Sequence, residues 1–177
     1  MNNEFTVDEI KNSVEYQWRK WQTKLSLLIF LIILLIPFFI GVFFLIFYND
    51  LEIFELVITE WISVSPLELI LLSFSLYHYS KIRYLLKNYK KFNSYEVVLN
   101  QFSSSYLHRR SVYFTVTINY NGLSVKVETN PCFSTYFVSR FSLEDFINKK
   151  VVGLFDKDKG KFYIIKKVDT ISIYSPQ

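Results

Sequence analysis

Hydrophobic and polar positions follow three different rules along this chain. Apolar residues recur at helical spacing before residue 25, run without a single charge from 25 to 48, and alternate with polar ones after residue 92. The uncharged run is twenty-four residues long, and about 20 apolar residues are enough to cross the hydrocarbon of a bilayer. It predicts a membrane span. A second apolar stretch predicts another span over about 66 to 86. Its start is marked by Ser65-Pro66-Leu67-Glu68, with Ser at the N-cap, Pro at the first helical position and Glu three residues after the cap. Residues 49 to 65 between the two stretches read as a short acidic outer loop.

The first 24 residues predict an amphipathic helix. Thr6 and Glu9 stand at capping-box spacing, with Phe5 and Ile10 at the positions of a hydrophobic staple. Val7, Ile10, Val14, Trp18, Trp21 and Leu25 then form an apolar stripe, with Lys11, Glu15 and Arg19 on its polar side. Such a helix can lie in the headgroup region or pack on the C-terminal domain.

Residues 92 to 177 predict a small antiparallel β-barrel or sandwich of five or six strands. Over 112 to 120, Val112, Phe114, Val116, Ile118 and Tyr120 share one face. Asn121-Gly122 follows, a strong hairpin signal because both central positions of a type I′ turn need φ > 0. Pairing Tyr120 with Leu123 aligns Ile118 with Val125 and Val116 with Val127, so the apolar faces agree only in that register. A strand at 95 to 102, an irregular segment at 130 to 140, a short helix from Ser142, a hairpin of 150 to 155 with 161 to 167, and a strand at 170 to 174 complete the expectation. The fold class is therefore an α+β membrane protein, with a cytoplasmic helix at 1 to 24, a two-helix transmembrane hairpin at 25 to 91 and a β-domain at 92 to 177.

Charge fixes the expected orientation. Lys11, Arg19, Lys20 and Lys24 precede the first span, and Lys81, Arg83, Lys87, Lys90 and Lys91 lie at the end of the second. Residues 49 to 61 hold Asp50, Glu52, Glu55 and Glu60 and no Lys or Arg. Basic residues flanking spans stay in the cytoplasm, so both termini are expected there. The first run starts too late, and is too long, for the core of a cleavable signal peptide. The wealth of Asn, Lys, Ile, Phe and Tyr points to an AT-rich bacterial genome, hence a multi-pass protein of a bacterial inner membrane. One cysteine, Cys132, excludes an internal disulfide.

The layout resembles a widespread family of small bacterial membrane proteins of unknown function, in which a two-helix hairpin precedes a β-domain. The resemblance covers residues 25 to 168. It rests on the strand–Asn-Gly–strand hairpin of 112 to 129 and on the segment 148 to 156, NKKVVGLFD, where a strand ends in Asp before a tight turn. It implies no catalytic residues.

Candidate chemistry is sparse. The Asp156-Lys157-Asp158-Lys159-Gly160 run lacks the Gly and Glu positions of a calcium loop and reads as a charged turn. Neither a Cys/His zinc spacing nor a phosphate-binding Gly-rich loop is present, so no cofactor, metal or catalytic residue is expected and the protein reads as non-enzymatic. Glu68 is the one candidate for an intramembrane functional carboxylate, against a plain capping role. His78 reads as an interfacial histidine. Pro37 and Gly41 read as a kink or as a packing notch for the partner helix.

Residues 93 to 177 carry eleven basic against seven acidic groups. Together with Lys81, Arg83, Lys87, Lys90 and Lys91, the residues Arg109 and Arg110 read as a surface for the anionic inner leaflet, which is favoured over nucleic acid. Phe133, Tyr136 and Phe137 are the first guess for a protein contact, against a role in capping the core. These features fit a protein that acts by binding another protein or itself, in particular an immunity protein that neutralises a toxin. The alternative is a membrane-bound sensor or transporter accessory subunit that uses the hairpin as a switch.

Overall fold

The structure, a computed structural model, describes residues 5–48, 51–105, 111–130, 133–134 and 141–168. The chain is helix plus sheet and divides into two compact units. Met1–Trp18 and Arg83–Gln177 form the first, and Arg19–Ile82 the second.

In the first unit, α1 (Val7–Asn12) opens on the expected capping box. The Thr6 hydroxyl accepts the Glu9 amide at 3.2 Å and the Glu9 carboxylate accepts the Thr6 amide at 3.0 Å. The helix does not run on to residue 24. Ser13 takes an extended conformation, donates its hydroxyl to the Ile10 carbonyl at 2.6 Å and accepts the Tyr16 amide at 3.3 Å, closing α1 and opening α2 (Val14–Tyr48). Glu15 and Arg19, expected on a wet face, are buried at 2% and 6% exposure.

Among the described residues, eight strands follow α3 (Leu51–Asn88) and a short 3₁₀ turn: β1 (Asn93–Val98), β2 (Gln101–Ser105), β3 (Ser111–Tyr120), β4 (Leu123–Thr129), β5 (Phe133–Ser134), β6 (Phe141–Ser142), β7 (Lys150–Asp156) and β8 (Lys161–Lys167). Their order is β1-β7-β8-β4-β3-β5-β6, with β2 also paired to β3. The β3–β4 hairpin has the expected register, Tyr120 opposite Leu123 and Val116 opposite Val127, and Asn121 and Gly122 sit at φ 52 and 78. The β7–β8 hairpin also stands where expected.

Four expectations need correction. The sheet is a curled half-barrel, neither sandwich nor closed barrel, and it is not wholly antiparallel, because β4 pairs β8 and β5 pairs β6 in parallel. The strand at 95 to 102 is two strands. At Leu99 the chain leaves β7, exchanging backbone hydrogen bonds with Asn148 and Lys149, and joins β3 instead. Only a turn, with the Phe146 and Ile147 amides donating to the Leu143 carbonyl, lies where a helix was expected from Ser142. The strand at 170 to 174 falls outside the described residues.

The sheet is packed on both faces at its centre. Val151 and Phe155 of β7 with Phe162 and Ile164 of β8 join one core together with Val14, Leu99, Phe114 and Phe133. Val152, Leu154, Tyr163 and Ile165 point the other way, against Phe5, Ile10, Leu85 and Tyr89. Burial on both faces explains why VVGLF and FYII read as unbroken apolar runs. Gly153 is required there. A Cβ would strike the Phe162 ring and come within 2.6 Å of the Tyr163 carbonyl oxygen.

The second unit pairs α2 and α3 antiparallel. Gly41 faces Phe54 and Val57, and an added Cβ would lie 3.3 Å from the Phe54 ring. At the far end the Arg19 guanidinium lies 3.4 Å from the His78 imidazole. α3 starts at Leu51, so most of the expected outer loop is helical and Ser65 is not an N-cap. Instead Leu51–Ser63 and Ser65–Lys91 meet at 45°. Pro66 accounts for the bend, because it has no N–H for the Ile62 carbonyl and its ring crowds that oxygen.

Candidate functional site

The most organised polar cluster among the described residues is centred on Asp156, which the sequence presented as the start of a charged turn. Asp156 ends β7 and is completely buried. Its Oδ1 accepts the amides of Asp158 and Lys159 at 3.1 and 3.3 Å, which folds the tight turn to Lys161. Its Oδ2 accepts the hydroxyls of Tyr84 and Tyr163 at 3.0 and 3.2 Å. Tyr163 sits one pair along on the same face of β8, and Tyr84 comes from the end of α3. The Lys159 ammonium lies over the Tyr84 ring.

Four donors on two oxygens satisfy a carboxylate that would be costly to bury bare. Burial, followed by the Asp156 and Glu15 charges, pushes the Tyr163 phenol well above its ordinary value, so it stays a donor at neutral pH. The cluster is a clasp. It ties the last turns of α3 to the β7–β8 hairpin, and both carboxylate oxygens are already engaged. An Asp closing an apolar strand, with a Tyr two residues into the next, was the signal available for half of it.

The other sequence candidates are scattered. Glu68 is buried at 8% exposure and accepts the Trp61 indole N–H at 3.0 Å across the Pro66 bend, which replaces the expected cap. Phe133 is not a surface contact. It is 1% exposed and stacks edge-on with Phe114, centroids 5.0 Å apart, beside Phe146. Tyr136, Phe137, Arg109, Arg110 and Cys132 lie outside the described residues. Arg83, Lys87, Lys90 and Lys91 are exposed and Lys81 lies half-buried, 5.0 Å from the Tyr77 ring. His78 is buried, 4.4 Å from the Phe74 ring.

Between α2 and α3 an apolar groove of about 390 Å³ is lined by Ile33, Ile36, Pro37, Val57, Glu60 and Trp61, among others. No group of three or more His, Cys, Asp or Glu suited to a metal occurs among the described residues. Comparison of the chain with protein-family models, with curated proteins and with solved structures finds no match in any of the three. Its class therefore rests on its own features: a β-unit joined to a pair of helices, of which α2 is long and apolar enough to cross a membrane.

Proposed function

We propose that this is a two-span protein of a bacterial inner membrane that holds its β-unit at the cytoplasmic face and acts by binding another protein rather than by catalysis. The observation that carries the membrane part is the inverted surface of α2, whose most apolar stretch is only 6% buried inside the protein. A bilayer is the solvent that matches such a surface. The bent α3 is the second crossing in this reading, and the contrast of acidic residues at 50 to 60 with basic residues at 81 to 91 supports a topology with both termini in the cytoplasm.

The binding role rests on what the polar groups do. The best-built polar cluster is consumed in holding the fold together. The first candidate partner is a toxin acting at the membrane, which would make this an immunity protein, and Tyr136 and Phe137 are the remaining aromatics for that contact. A sensor or transporter-accessory role is favoured by one observation, the Trp61–Glu68 hydrogen bond across the Pro66 bend, which could lock one of two helix geometries.

Topology is tested with single cysteines in a Cys132→Ser background and an impermeant maleimide. Glu55→Cys should label in spheroplasts and Lys157→Cys only after lysis, and the reverse pattern would refute the topology. Affinity purification from gently solubilised membranes tests binding. A stoichiometric partner lost on Tyr136→Ala with Phe137→Ala supports the reading, whereas recovery of the protein alone refutes it. Glu68→Gln separates the two roles: a switch loses its biological output in a folded protein, and a binder keeps it.

A further inference from the structure

Where α3 ends, four cations stand without acidic company. Arg83 and Lys87 are one turn apart on α3, and Lys90 and Lys91 follow in the 3₁₀ turn of Tyr89–Lys91. All four are exposed. No Asp or Glu occurs in sequence between Glu68 and Glu96. Elsewhere in this unit lysines meet carboxylates: Lys11 with Asp8, Lys150 with Glu96, Lys161 with Glu128 and Lys166 with Glu9. None of the four makes such a pair with a described acidic residue.

Their direction is fixed by the opposite side of the same segment. Leu85 and Tyr89 are buried with Val152, Leu154 and Ile165, and the Tyr84 hydroxyl is held by Asp156. The helix end cannot roll its charges into the protein without breaking that packing. Just before it along α3 come Tyr77 and Tyr79, 52% and 51% exposed, the residue type that marks a membrane–water interface. From Tyr79 to Arg83 is four residues, roughly 6 Å of helix, so the first of the cations follows the tyrosines by one turn and Lys87 by two, with Lys90 and Lys91 beyond them.

We propose that Arg83, Lys87, Lys90 and Lys91 form a binding surface for the headgroups of acidic phospholipids in the cytoplasmic leaflet, such as phosphatidylglycerol. The inference rests on the membrane reading above and adds a lipid class to it. Net negative charge is the recognised feature, because a zwitterionic lipid presents its phosphate beside a compensating ammonium. Each cation near an anionic surface strengthens association about fivefold.

The test uses the full chain in neutral detergent, exposed to equal amounts of phosphatidylglycerol and phosphatidylcholine with identical acyl chains, with retained lipids counted by native mass spectrometry. The wild type should retain phosphatidylglycerol at least about tenfold over phosphatidylcholine. Arg83→Gln, Lys87→Gln, Lys90→Gln and Lys91→Gln together should bring the ratio near one at an unchanged melting temperature. Lys87→Arg, Lys90→Arg and Lys91→Arg together should preserve it, as should neutralising the distant exposed Lys126 and Lys149 in a control. Equal retention by the wild type, or an undiminished preference in the quadruple Gln variant, overturns the proposal. So does a short DNA duplex that binds the wild type at physiological salt, depends on these four residues and leaves the lipid ratio at one. Alkaline extraction of native membranes is read separately, since release of the chain would refute the membrane reading whatever the lipid ratio.

Discussion

Phe39 in α2 and Leu123 in β4 leave nearly the same share of their surface uncovered, 63% and 69%, and they mean opposite things. Leu123 adjoins the Asn121-Gly122 turn as an isolated apolar residue, which is ordinary on a surface facing water. Phe39 belongs to a run in which Leu35, Ile36, Phe38, Ile40 and Phe43 are each at least 43% exposed. A patch of that extent is an interaction surface. The β-unit meanwhile hides Phe114, Phe133 and Phe162 almost completely. One unit is built apolar-inside and the other apolar-outside, so the same exposed side chain carries a different meaning in each.

The comparison can be broken first from the β-side. Asp156→Ala leaves two amides and two hydroxyls of a buried cluster without their acceptor and should cost about 4 kcal/mol. Denaturation of the β-unit in detergent should show that loss while membrane insertion persists, and a loss below about 1 kcal/mol would remove the clasp from the account. On the helix side, Phe39→Lys should cost about 3 kcal/mol in a membrane-insertion assay. Leu123→Lys, at equal exposure, should change stability by less than about 0.5 kcal/mol. Equal costs for the two substitutions would erase the distinction between the units.

A smaller effect sharpens the comparison within the clasp. The Tyr163 phenol titrates above its ordinary value when folded, so its stabilisation is complete below about pH 10 and is lost as pH rises further. Tyr163→Phe should lower stability by about 1–2 kcal/mol at neutral pH and flatten the alkaline limb of a stability–pH profile. Thr6→Ala, removing the cap of α1, should cost about 1 kcal/mol.

The smallest expected effect belongs to Glu9. The hydrogen bond from Lys166, then the Thr6 amide, holds its carboxyl below the ordinary carboxylate value. That contribution is present at neutral pH and is lost as pH falls through the lowered folded value. Glu9→Gln should therefore reduce the acid-side slope and leave the alkaline side alone.

Two sequences with the same start signal show how far local reading reached. Thr6 and Glu9 form their capping box. Ser65, Pro66 and Glu68 do not, because the chain before them is itself helical from Leu51, and the missing proline N–H bends the helix instead of starting it. The β3–β4 hairpin was legible to the residue pair because turn chemistry and alternation demanded one register. For Phe133 the sequence left contact and core both open, because an aromatic in an irregular segment looks the same whether it faces water or a core, and the structure places it in the core.

The sequence by itself determined the uncharged length of α2, the asymmetry of charge around the helices, the Asn-Gly turn and the two apolar strands of the β7–β8 hairpin. Those depend on residues adjacent in the chain or spaced by one helical or strand period. Tertiary structure alone decided the curl of the sheet, the transfer of the chain at Leu99 from β7 to β3, and the role of Asp156. The hydroxyl of Tyr84 reaches that carboxylate from 72 residues away, and no local pattern records which donor a buried acceptor will find.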